Sequence, residues 1–342
     1  MARVPALDNS LLPLTWSTCQ IDLWLRVDPG GIDQRLGGVW GGRERARTVP
    51  VTTGEVARRP GIVDAHHHLW VRARHPQPWI DPHTMAAIDD DFTPVELAPA
   101  TRAAGVTQTV VVQSVAVRSE TPELLGIAAD DPLIVGVVGW VDLTGADVDR
   151  RLARLRRARG GERLVGIRHL VQSEPDPTYL DRPDVRRGIA TVGAAGLAFD
   201  LLVRHRQLPA ATRLVRDLPQ VRFVLDHLGK PPLGRADLGD WRHDLRMLAA
   251  EPNTTAKLSG LVTEVDGGSW TTAGLRPAVE HALDVFGPDR LMFGSDWPVC
   301  LLATSYTRWV AVVGDLLDPL SDDERAAIWR RTAGRVYRLA SS

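Results

Sequence analysis

From Gly61 onward the chain alternates between two patterns of apolar residues. Short runs rich in Val, Ile and Leu recur at 62–63, 109–117, 133–141, 164–170, 197–203, 221–225, 254–258 and 290–293. Between most of them lie stretches whose apolar residues recur at helical spacing, such as 94–104, 146–158, 183–195 and 275–286. Continuous apolar runs mark strands buried on both faces, as in a parallel sheet covered by helices. Eight such runs between residues 62 and 293 fit an α/β fold closed into a (β/α)8 TIM-type barrel better than an open sheet. No Gly-x-Gly-x-x-Gly follows an early strand, which disfavours a dinucleotide-binding sheet. The stretch 321–337 predicts a closing helix capped by Ser321, with Glu324 at the capping-box position.

Residues 1–58 break the pattern. They are rich in Gly, Pro, Thr and Arg, hold the pairs Gly30-Gly31, Gly37-Gly38 and Gly41-Gly42, and show no sustained period. The expectation is a poorly ordered N-terminal extension, or residues translated only if the start codon is assigned too early. The barrel then occupies 59–342.

Charge and composition narrow the function by exclusion. A formal net charge of -1 offers no basic footprint for nucleic acid. No apolar stretch approaches the ~20 residues that a membrane-spanning helix needs, and no secretory pattern opens the chain. Two cysteines, Cys19 and Cys300, cannot build a disulfide framework and suit a reducing compartment, so the cytoplasm is the expected location. A small molecule is the expected partner, and exposed barrel helices are compatible with a homo-oligomer. Of the 41 basic residues only Lys230 and Lys257 are lysines. A lysine kept among so many arginines points to a place where the guanidinium fork does not serve, chance survival being the bland alternative.

In a barrel the chemistry sits at the C-terminal ends of the strands. The first run ends Asp64-Ala65-His66-His67-His68-Leu69-Trp70. Alternate strand residues share a face, so His66 and His68 point one way and His67 the other. Two imidazoles on one face can hold a divalent cation or polarise a carbonyl. The sixth run ends at Asp226-His227, before the loop Leu228-Gly229-Lys230-Pro231. The eighth ends Gly294-Ser295-Asp296-Trp297-Pro298, and histidines or a metal around Asp296 would keep it ionised as a general base. Each cluster has a plainer reading: polar loops with satisfied histidines, and an Asp that merely forms a turn.

The three clusters, with 78–80, 138–142, 166–168, 226–231, 257–260 and 294–299, resemble the lactonase branch of the amidohydrolase superfamily, in the right order over residues 61–340. That resemblance implies a hydrolase that opens a small sugar lactone. Asp296 would activate the water, and His66, His68 and His227 would polarise the carbonyl directly or through a metal held by His66, His68 and Asp296. The cofactor implied is one divalent ion, zinc or manganese, or none, with histidines and Arg168 as the electrophile. Arg168 would grip the substrate with its fork, and Lys257 would sit at the mouth of the seventh strand. Gln113, Trp140 and Glu264 are weaker substrate contacts, and Trp70 and Trp79 a pocket side.

The sequence departs from the superfamily's metal sites in one respect. Those sites commonly draw a Lys or His ligand from strand four or five, whereas here the fourth run ends Arg168-His169 and the fifth Arg204-His205. Arg cannot ligate a metal, His169 should face away from Arg168, and His205 is a weak alternative. Two rival readings keep the barrel. One is a zinc-dependent decarboxylase. The other is a non-catalytic binding protein, which none of His66, His68, His227 and Asp296 being absent disfavours.

Overall fold

Each apolar run becomes one strand of a single parallel sheet in a computed structural model that describes residues 61–234, 237–265 and 269–340. The expectations for residues 1–58 and for Cys19 lie outside the described residues. In chain order the strands are β1 (Ile62–His67), β2 (Val106–Val112), β3 (Ile134–Gly139), β4 (Leu164–His169), β5 (Ala198–Leu201), β6 (Arg222–Leu225), β7 (Thr254–Leu258) and β8 (Leu291–Phe293). Each pairs in parallel with the next. The turn is completed by His68 N–H donating to the Trp297 carbonyl at 2.6 Å and Asp296 N–H donating to the His66 carbonyl at 2.8 Å. The fold is the TIM-type barrel.

The helices between the strands follow the predicted stretches closely: Pro94–Ala104, Val148–Arg157, Pro183–Ala194 and Thr272–Phe286. The first shows why. Thr93 and Glu96 form a capping box and Pro94 occupies the first turn, where its missing N–H costs nothing. Ser321 and Glu324 form the expected box at the end of the chain. The closing helix is not continuous, because a π turn over Ala327–Arg331 separates Asp322–Ala326 from Thr332–Tyr337.

Two apolar layers result. Outside the sheet, large side chains such as Ile167, Phe199, Leu201, Phe223 and Phe293 pack against the helices. Inside it, smaller ones, Val63, Ala65, Val110, Val112, Val138, Ala198 and Val224, fill the narrow lumen. Ala333, Val336 and Tyr337 of the last helix join that inner cluster and close one end of the barrel. The other end is polar.

In two of the strands that end earlier than their apolar runs, the cause is local hydrogen bonding. The run 109–117 leaves the sheet after Val112 because the buried carboxyl of Glu120 accepts from Ser114 N–H (2.7 Å), Ser114 Oγ (2.6 Å) and Val115 N–H (3.2 Å). Similarly, the run 133–141 leaves at Gly139, where Trp140 N–H donates to Thr121 Oγ1 at 2.8 Å. No helix of the described residues is long and apolar enough to cross a membrane.

Glu120 generates a stability prediction. Burial pushes its pKa up from 4.5 to about 7, outweighing the bonds from Ser114 and Val115. A carboxyl raised in this way stabilises the fold fully below its unfolded pKa, and the contribution is lost as pH rises through 7. Glu120→Gln should therefore lose less stability than the parent between pH 5 and 8, by up to about 3 kcal/mol. Urea unfolding at the two pH values measures it, and an equal loss in both proteins would show Glu120 to be ionised throughout.

Candidate active site

The polar end of the barrel begins with an irregularity in β1. Its pairing with β2 shifts register between Asp64 and His67. Ala65 belongs to the inner apolar cluster, yet the next residue, His66, also reaches inward, to Lys257 and Asp226. A bulge re-aims side chains in this way, and bulges recur beside active sites. Beyond it the alternation expected for the motif holds. His66 and His68 meet at 3.2 Å between their Nε2 atoms, while His67 turns away to Thr109 Oγ1 at 3.0 Å.

Asp296 is the hub of the arrangement. Its Oδ1 lies 3.6 Å from His66 Nε2, 3.5 Å from His68 Nε2 and 3.9 Å from His227 Nε2, and all four side chains are buried. Burial opposes ionisation of Asp296, but His227, His68 and His66 outweigh it and hold the carboxyl well below the usual range. Burial lowers His66 and His227 in turn, Lys257 adding to the effect on His66, so both rings are neutral near pH 7 and carry a lone pair. The far nitrogens of the outer rings are occupied. His68 Nδ1 donates to the Val112 carbonyl at 2.7 Å, and His227 Nδ1 hydrogen-bonds Ser259 Oγ at 2.8 Å. Partners of this kind fix ring orientation and leave Nε2 facing the centre.

The donor set fits a divalent cation. His66, His227 and Asp296 each offer one atom, all within 4.8 Å of one another. His68 is outside that group of three, though its Nε2 lies 3.2 Å from His66 Nε2 and 3.5 Å from Asp296 Oδ1. Ligand atoms of a tetrahedral zinc site stand about 3.3 Å apart, close to the spacing of His66, His68 and Asp296. The implied set of His66, His68 and Asp296 thus gains His227. His205 opens a short turn after β5 and is outside this cluster, and His169 pairs outward with Glu174 at 2.5 Å.

Backbone geometry makes the convergence possible. His227, Leu228, Lys230 and Asp296 have φ between 51° and 57°, a region that non-glycine residues enter at a cost and mostly at functional sites. Gly260 (φ 65°) faces both groups, and a Cβ there would stand 2.6 Å from His227 Nδ1 and 3.0 Å from Asp296 Oδ2. At Gly294 a Cβ would meet that of His66 at 2.7 Å. These glycines are steric requirements of the cluster.

Other expected residues fall elsewhere. Lys257 is not at the mouth. It is fully buried inside the barrel, 2.6 Å from Asp200 Oδ2 and 3.0 Å from Asp226 Oδ1, because two enclosed carboxylates require a cation between them. Arg168 reaches the cluster, with Nη1 3.3 Å from His66 Nε2, but its fork is engaged by Asp226 at 3.0 Å and by the Gln113 carbonyl. Gln113 is buried and donates from Nε2 to the Arg168 carbonyl at 3.3 Å. Trp140 donates to His169 Nδ1 at 3.0 Å. Trp70 and Trp79 pack edge to face at 5.8 Å, with Trp70 stacked at 6.4 Å behind His68. Glu264 pairs with Lys230 at 2.6 Å. Reading by motif assigned no role to Asp226, Asp200, Ser259 or Tyr337. Of these, Asp226 and Ser259 stood inside quoted motifs, one residue before His227 and two after Lys257, and that proximity was the available signal.

Comparison with known proteins places this geometry. Residues 63–339 match the family model described as Amidohydrolase. The chain belongs to the amidohydrolase family. Among curated relatives, the L-fucono-1,5-lactonase of Burkholderia multivorans is 40% identical over 288 residues, covering 81% of this chain and 96% of that protein. The L-rhamnono-gamma-lactonase of Scheffersomyces stipitis is 26% identical over 58% of this chain and 66% of its own length. A crystal structure of a Burkholderia multivorans amidohydrolase with bound zinc is 40% identical, with a TM-score of 0.78, covering 82% of this chain and all of that one. The amidohydrolase resemblance and the barrel are thereby borne out.

Ser259→Ala should weaken zinc binding about 10- to 100-fold, as loss of an orienting partner typically does. Competition against a chromogenic chelator measures it. An unchanged affinity would mean that Ser259 does not hold His227 for an ion.

Proposed function

We propose that the chain is a hydrolase that opens a small sugar lactone by attack of water on the ring carbonyl. The observation that carries this reading is a buried Asp296 carboxyl with three imidazole nitrogens at 3.5–3.9 Å. The similarity to lactonases over most of the chain supports it.

In this mechanism Asp296 accepts the proton of the attacking water. The negative charge that develops on the carbonyl oxygen meets an N–H of His66 or His227 and the positive field of Arg168, fixed in advance by Asp226 and Gln113. As the ring C–O bond breaks, Asp296 returns its proton to the departing oxygen, which leaves as the hydroxyl of the open-chain acid. Water has been added across the ester, and Asp296 is again a carboxylate. A divalent ion held by His66, His68, His227 and Asp296 would supply Lewis-acid polarisation of the carbonyl. Because both Nη groups of Arg168 are engaged within the protein, the fork is not free to clamp a substrate carboxylate, which favours an uncharged, hydroxyl-bearing lactone.

Asp296→Asn keeps the shape of the side chain and removes the base. It should lower kcat on the lactone that the parent opens by at least about 1,000-fold, within the range of general-base effects, with Tm nearly unchanged. A pH-indicator assay over a panel of aldonolactones, with elemental analysis for zinc and manganese, tests the reading. Near-normal turnover by the variant would remove Asp296 as base. No turnover of any lactone by the parent, with about one zinc per chain, would overturn the lactonase reading in favour of the family's decarboxylase chemistry.

A further inference from the structure

Lys257 is one of two lysines among 41 basic residues and is fully buried. Its ammonium has three N–H bonds, and three acceptors surround it: Asp200 Oδ2 at 2.6 Å, Asp226 Oδ1 at 3.0 Å and His66 Nδ1 at 3.2 Å. The same Asp200 oxygen accepts from Tyr337 Oη at 2.7 Å, and the Tyr337 ring lies 5.4 Å from the ammonium. The last helix thus buttresses the lysine from the closed end of the barrel. A planar guanidinium cannot turn three N–H groups onto acceptors clustered around one point, whereas an ammonium can.

We propose that Lys257 is a positioning residue for His66, holding the imidazole from behind so that Nε2 stays turned toward Asp296. His66 Nδ1 faces two neighbours at once, Lys257 Nζ at 3.2 Å and Asp226 Oδ1 at 3.3 Å. One is a donor and the other an acceptor. With its proton on Nε2 the ring accepts from Lys257, and with its proton on Nδ1 it turns that N–H toward the charge of Asp226, an ion-pair contact at 3.3 Å. The ring therefore keeps its place in either tautomer, as it must if Nε2 is to present a lone pair to an ion or an N–H to an oxyanion. Removing Lys257 leaves a support that suits only one of these.

The alternative is that Lys257 only neutralises buried carboxylates, and two variants separate the two roles. Lys257→Met leaves Asp200 uncompensated and Asp226 with Arg168 alone, and should lower Tm sharply. Lys257→Met combined with Asp200→Asn removes one charge of each sign, and its Tm should recover most of the loss. If Lys257 positions His66, the double variant still shows kcat down at least about 50-fold with KM within about threefold of the parent. Its His66 ring 15N resonances, identified by their loss in His66→Asn, should also differ from the parent's. Recovery of kcat together with Tm, or unchanged His66 resonances, overturns the proposal. The kinetic arm rests on the lactonase reading. If the parent opens no lactone, that reading fails by itself, and the 15N spectrum still decides the role of Lys257.

Discussion

A carboxylate sealed inside a barrel is tolerable only if cations reach it, and Asp226 is reached by two, Arg168 at 3.0 Å and Lys257 at 3.0 Å. Burial alone would raise its pKa; Lys257, His66 and Arg168 hold it well below the carboxylate range. The polar half of the lumen is arranged around this charge. Lys257 carries the contact on to Asp200 and Tyr337, Arg168 carries it to Gln113, and His66 rests against both cations. Asp200 bears the cost of the crowding: burial and the like charge of Asp226 prevail over Lys257 and push its pKa up to about 6. Removing either cation would leave a buried anion short of a partner, so the network stands or falls as a unit.

That network explains how a few side chains can be aimed from distant parts of the chain. Parallel strands deliver their C-terminal ends to one rim, and the rim here takes His66 from β1, Arg168 from β4, His227 from the end of β6 and Asp296 from beyond β8. The strands fix Cα positions, and ring orientation has to come from what touches the far side of each imidazole. For His68 that is the Val112 carbonyl, for His227 the Ser259 hydroxyl, and for His66 the ion network itself. Three rings are held by three different devices, two drawn from a neighbouring strand or its loop and the third, for His66, from across the barrel.

The barrel was legible because its signal is repeated: eight apolar runs are hard to mistake even when each boundary is off by a few residues. Boundaries failed where a side chain intervened, as Glu120 does in ending β2. The histidines and Asp296 were legible because each ends a strand, the one place in this fold where polar residues gather. Lys257 was placed at the mouth of the seventh strand by the same logic; its partners there are buried carboxylates that the sequence scatters from 200 to 226. Pairing across a barrel is set by strand order and shear, which a linear pattern does not encode. The tether to Tyr337 joins residues 137 positions apart. No local periodicity carries that information.

Strain gives an independent view of the same design. Four residues beside the centre, His227, Leu228, Lys230 and Asp296, hold left-handed backbone, a conformation costing of order 1–3 kcal/mol each. Rigid contacts offset it. Leu228 is buried with its carbonyl accepting from Trp241 Nε1 at 2.8 Å, Lys230 N–H returns to the His227 carbonyl at 2.8 Å, and Asp296 N–H is tied to β1. A loop free to relax would leave this region, so its persistence means that the fold, rather than an arriving ligand, holds His227 and Asp296 face to face. A base and its surrounding imidazoles set in place before the substrate enters need little reorganisation as charge develops, which is how fixed dipoles lower a barrier. The glycines at 260 and 294 follow from the same requirement, since a methyl group at either would push apart the groups that the strain brings together.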